Sequence, residues 1–123
     1  MLTTLVEATG SDLELRIRHR PARARLNGVL GRRLLQHRAE ILQRAEHHGV
    51  QLLGVFGSVA RSQETATSDI DLLVTLPRGM GLVGMGRVEK ELSEILGAKV
   101  DLVPADGLKS GVRKNVLSDL VVL

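Results

Sequence analysis

The chain has 123 residues, 43% of them hydrophobic, which is enough apolar material for one modest core and nothing larger. It has no cysteine, which excludes disulfides, thiolate metal sites and cysteine nucleophiles. Phe56 is its one aromatic residue, so the core is expected to be aliphatic with Phe56 in it, and stacking of bases on aromatic platforms is poorly supported. No stretch approaches the roughly 20 apolar residues of a membrane span, and residues 1–10 hold Glu7 and no apolar run of signal-peptide length. A cytoplasmic protein with no membrane partner is the expectation.

The formal net charge of +3 is unevenly spread. Residues 1–33 carry seven arginines against three acids, whereas residues 34–123 carry ten basic and eleven acidic side chains. Arg16, Arg18, Arg20, Arg23, Arg25, Arg32 and Arg33, with Pro21 among them and no helical period, read as a solvated, partly disordered basic extension over 1–33. Such an arm is also able to meet phosphates or an acidic partner. The compact domain is expected over 34–123, and a natural start of the chain nearer Val29 or Leu34 would fit that boundary.

From Leu34 the apolar positions Leu34, Leu35, Ile41, Leu42 and Ala45 recur at helical spacing, and Gly49 ends the pattern, so one packing helix is predicted over 34–48. His37, His47 and His48 suggest a metal, but the last two are neighbours that share no helix face, and imidazoles in a last turn suit the helix dipole.

Residues 51–56 read as a buried strand running into Gly57-Ser58 and a short helical start at Val59-Ala60-Arg61. Gly57 allows the backbone close to a ligand, and Ser58 adds a hydroxyl and an amide, a combination that attracts phosphate. The plainer reading is an ordinary turn. Asp69 and Asp71 then fall in a branched apolar run with Ile70, Leu72, Leu73 and Val74, which favours a strand, and residues two apart on a strand share a face. Two carboxylates held that close repel, and a site that keeps both ionised needs a cation; oxygen-only ligands suit Mg²⁺ or Mn²⁺. On an exposed edge the same pair also serves simply to discourage aggregation.

Pro77 and the glycines at 79, 81, 84 and 86 read as a flexible link and match no phosphate-binding fingerprint in its proper context. A helix is predicted over 88–96, ending at Gly97. Asp101 lies inside the apolar run 99–103, where an acid costs stability unless it has a partner; pairing beside the Asp69 strand would bring three carboxylates together. A short helix over 109–118 and a last strand over 120–123 complete the chain.

Gly57-Ser58, Ala60-Arg61, Ser68-Asp69-Ile70-Asp71 and the later Asp101 together resemble the minimal nucleotidyltransferases (MNT) of the DNA polymerase β-like superfamily. The resemblance covers roughly residues 34–123. Family members commonly have glycine after the arginine; Ser62 stands there, so the loop over 62–67 is expected to be shaped differently. The resemblance implies an α/β (α+β) nucleotidyltransferase fold, with a mixed sheet of about four strands flanked by helices. It further implies a nucleoside triphosphate donor, ATP by expectation, and Mg²⁺, two ions with Mn²⁺ as a substitute.

Under that resemblance Gly57 and Ser58 bind the β and γ phosphates, and Asp69, Asp71 and Asp101 are the catalytic metal ligands. Asp101 is the one expected to help deprotonate the acceptor, and Arg61 is expected to reach a phosphate or the acceptor. Small stand-alone members often act as antitoxins of HEPN-type ribonuclease toxins, transferring AMP onto a tyrosine. A protein adenylyltransferase antitoxin, with the HEPN toxin as acceptor and no requirement for nucleic acid, is therefore expected. The alternatives are a non-catalytic binding antitoxin and a triphosphate-binding module of the same fold.

Overall fold

The computed structural model describes residues 26–123; the arginines at 16, 18, 20, 23 and 25 lie outside the described residues. In chain order the elements are α1 (Val29–Gln36), α2 (Arg38–His47), β1 (Gln51–Phe56), α3 (Gly57–Ala60), β2 (Ile70–Thr75), α4 (Leu82–Leu96), β3 (Val100–Pro104) and α5 (Ser110–Asp119). The strands form one mixed sheet in the order β1-β2-β3, antiparallel between β1 and β2 and parallel between β2 and β3.

Alternation along β2 sorts the two faces of the sheet. Ile70, Leu72 and Val74 point to one side, and the parallel register sets Val100 and Leu102 beside them. With Leu30, Leu34, Ile41, Val88, Leu92 and Leu96 from α1, α2 and α4 they make one aliphatic core, each at most 4% exposed. Burying an aliphatic side chain of this size contributes roughly 1.5–3 kcal/mol, so this face supplies most of the fold's driving force. Asp71, Leu73, Asp101 and Val103 are left on the other face. There α5 provides partial cover, and Leu53, Leu73, Leu108, Arg113, Leu117 and Leu120 line an open groove of about 420 Å³.

Three expectations are corrected. The sheet has three strands rather than about four, because the last apolar stretch makes a single antiparallel bridge, Val121 with Val55. Both of its hydrogen bonds are present, at 2.9 and 2.8 Å. The register of β1 is irregular between Leu52 and Gly54, next to this pair.

The helix predicted over 34–48 is two helices broken at His37 and begins earlier, at Val29. Leu26, Leu30 and Leu34 stand four residues apart and are all fully buried, so residues 26–33 feed the core rather than a solvated arm. Arginines and glycines between these leucines hid the period. Finally, Phe56 is only partly buried and lies outside the core. Its cross-strand partner is Asp71, which puts it on the carboxylate face.

Candidate functional site

The three carboxylates come from two adjacent strands. The parallel register pairs Asp71 with Asp101 and Ile70 with Val100, so the two acids stand side by side on one face. Asp69 immediately precedes β2, and Ile70 N donates to Lys99 O at 2.8 Å, tying the two strand entrances together. All three carboxylates are accessible: the Asp69 and Asp101 side chains are 44% and 37% exposed, and Asp71 is half-buried.

Electrostatics reflects this crowding. Partial burial holds the Asp71 carboxyl above its ordinary value of 3.8, the charges of Asp101 and Asp69 push it the same way, and only Arg61 pulls it down. Lys99 answers the repulsion. Its ammonium lies 3.9 Å from both Asp69 Oδ2 and Asp101 Oδ1, a positive charge placed between two carboxylates. Oxygen-only donors with a cation standing between two of them fit a hard divalent ion. Among the described residues no three His, Cys, Asp or Glu side chains form a cluster that holds a metal by itself.

Gly57 closes the site from the β1 side. Its φ of +77° lies in the left-handed region, and a Cβ there would sit 2.6 Å from Asp71 Oδ2. Only glycine combines that backbone with that approach. Ser58 follows, partly exposed, while Val59 and Ala60 are buried and anchor the turn in the core. Arg61 is turned toward the last helix: Nη1 pairs with Asp119 Oδ2, and Nε donates to Gln63 Oε1 at 3.1 Å. Its charge still acts on Asp71.

The loop between the glycine turn and β2 carries a positive-φ residue that is not glycine. Ser62 adopts φ 57°, the left-handed conformation that glycine takes easily, at a cost of about 1–2 kcal/mol for an L-residue. Its Oγ donates to Asn27 Oδ1 at 3.2 Å and accepts from Asn27 N at 3.3 Å. Two residues on, Glu64 Oε2 accepts from Leu30 N at 3.0 Å and Gly31 N at 2.9 Å, satisfying the first turn of α1.

Sequence reasoning did not single out Glu64 or Lys99. Glu64 caps a helix 34 residues away, a pairing no local pattern signals. Lys99 was visible: a cation two residues before an acid on a strand lies on that acid's face.

A mixed sheet with register-paired carboxylates on its open face, and a glycine turn packed against one of them, defines the nucleotidyltransferase class of fold. The family model for the nucleotidyltransferase domain matches residues 35–123. The protein adenylyltransferase MntA of Thermococcus cleftensis is 39% identical over 88 residues, covering 72% of this chain and 86% of its own. A solved structure described as a minimal nucleotidyltransferase aligns with a TM-score of 0.65 at 32% identity, covering 86% of this chain and 99% of its own. A toxin-antitoxin structure, MntA-HepT, shares the fold with a TM-score of 0.52 at 20% identity, over 68% of this chain and 66% of its own. The chain belongs to the nucleotidyltransferase domain family, in its minimal branch.

Proposed function

We propose that the protein transfers AMP from ATP onto a hydroxyl side chain of a partner protein, and that it acts as the antitoxin of a HEPN-type ribonuclease toxin in the cytoplasm. The observation that carries this reading is the pairing of Asp71 with Asp101 beside Asp69, against the Gly57 turn. The name of the Thermococcus relative supports adenylyl transfer, and the likeness to the antitoxin fold of the MntA-HepT pair supports a toxin partner.

In this reading Asp69, Asp71 and Asp101 hold Mg²⁺, with Mn²⁺ as a substitute. Bound there, the metal supplies charge neutralisation of the triphosphate and acidification of the acceptor hydroxyl. Gly57 and Ser58 present backbone amides and a hydroxyl to the β and γ phosphates. Asp101 takes the acceptor proton as the hydroxyl oxygen bonds to the α-phosphorus and the bond to pyrophosphate breaks. Arg61, anchored by Asp119, offers its field to the developing negative charge.

The test is intact-mass analysis of a HEPN-family partner encoded beside this chain, after incubation with ATP, Mg²⁺ and either wild type or Asp69→Asn/Asp71→Asn. A gain of one AMP with wild type alone is expected. No gain, with the complex still forming, would move the function to neutralisation by binding.

A further inference from the structure

We propose that Lys99 is a built-in counter-ion that a divalent cation must displace, so that the site takes the cation together with a triphosphate in preference to the cation alone. The inference rests on reading Asp69, Asp71 and Asp101 as the cation-binding carboxylates. Lys99 immediately precedes β3, and its carbonyl accepts the Ile70 amide, so its backbone is fixed between the entrances of the two carboxylate strands. From there its ammonium reaches Asp69 Oδ2 and Asp101 Oδ1 at 3.9 Å each, the place a shared cation would take. The side chain is 70% exposed and its stem is flexible, so the head can leave without disturbing the core.

Two consequences follow from its charge. A bare divalent ion entering the site loses the attraction already satisfied by Lys99 and meets a like charge beside it, which lowers its affinity. When the ion arrives with a triphosphate, the displaced ammonium finds a new partner in the phosphate oxygens, and the penalty is offset. The other cation near the site, Arg61, is held by Asp119 and Gln63 and does not substitute for it.

Mn²⁺ binding, followed by electron paramagnetic resonance of the free ion, reads this directly and without catalysis. In the absence of nucleotide, Lys99→Met is expected to bind Mn²⁺ roughly three- to tenfold more tightly than wild type, from the loss of one nearby charge. Lys99→Arg, which keeps the charge, is expected to stay near wild type. With a non-hydrolysable ATP analogue present, the advantage of Lys99→Met is expected to shrink or reverse. Equal or weaker Mn²⁺ binding by Lys99→Met, while Asp69→Asn weakens binding, would overturn the role of Lys99 and leave the carboxylate site standing. Mn²⁺ binding that Asp69→Asn and Asp71→Asn leave unchanged would overturn the carboxylate reading itself, and the inference with it.

Discussion

Replacing Gly57 with alanine tests whether the glycine turn sets the position of a site carboxylate. Two costs are combined in that change. The backbone has φ +77°, which an L-residue adopts at about 1–2 kcal/mol, and the new methyl would stand 2.6 Å from Asp71 Oδ2. Ordinary contact begins near 3.4 Å, so the carboxylate oxygen has to retreat by about 0.8 Å. Gly79→Ala separates the costs: its φ of +86° carries the same backbone strain, and nothing lies within 4 Å of the added carbon. Both variants are expected to lose thermal stability, by about 4–8 °C per kcal/mol in a domain of this size. Only Gly57→Ala is expected to lose function, by about 100-fold in AMP transfer, since a displacement near 1 Å at a reacting group costs about that much. The assay is a melting curve for each variant, with a transfer rate on the same preparations. A Gly57→Ala enzyme within about threefold of the wild-type rate would refute the claim that Gly57 positions Asp71.

Four further outcomes are expected. Because the folded state binds a proton at Asp71 more readily than the unfolded chain does, ionised Asp71 subtracts from stability at neutral pH. Asp71→Asn should therefore melt higher than wild type at pH 7, with the difference vanishing as pH falls below the ordinary value of 3.8. Glu91 shows the opposite sign: the His48 hydrogen bond holds its carboxyl below 4.5, so its contribution is present above that value and lost as pH falls through the lowered one. Melting curves of Glu91→Gln against wild type should accordingly converge in acid. Leu30→Ala should cost about 2–5 kcal/mol, because Leu30 is fully buried, whereas Val29→Ala, at a 46% exposed position, should stay within about 0.5 kcal/mol; denaturant titration distinguishes them. Glu64→Ala should cost about 0.5–2 kcal/mol and speed hydrogen exchange at the Leu30 and Gly31 amides, which lose their acceptor.

What could be read from the sequence was local. The period-2 pattern around Asp69 and Asp71, the apolar run around Asp101 and the Gly57-Ser58 turn each depend on residues a few positions apart, and both runs form strands. What escaped depended on distant partners. The helix over Val29–Gln36 is stabilised by core burial of Leu26 and Leu30 and by a carboxylate from residue 64; among arginines and glycines neither could be seen locally. Phe56 was expected in the core because aromatic residues usually bury, yet its register partner is a half-buried acid on the opposite face. The stretch with Val121 and Val122 reads as a strand because both are β-branched, yet it makes only the one bridge with Val55.

The division of labour between the two faces of the sheet explains why a site of mutually repelling acids is tolerated. The face carrying Ile70, Leu72, Val74, Val100 and Leu102 is closed by three helices and is almost wholly aliphatic. Its burial stabilises the sheet enough to hold Asp71 and Asp101 in register although their charges oppose each other. The opposite face is left open where the carboxylates stand and covered by α5 only farther along, against Leu53 and Leu73. A strand pair fixes backbones to within a fraction of an ångström while leaving side chains free to gather ligands, and that precision comes from the apolar face rather than from the acids. Stability and chemistry are therefore carried by alternate residues of the same two strands. A loss of packing at Leu72 or Leu102 should consequently loosen the Asp71–Asp101 register before the domain unfolds, which would weaken Mn²⁺ binding in a Leu72→Ala protein that still melts cooperatively.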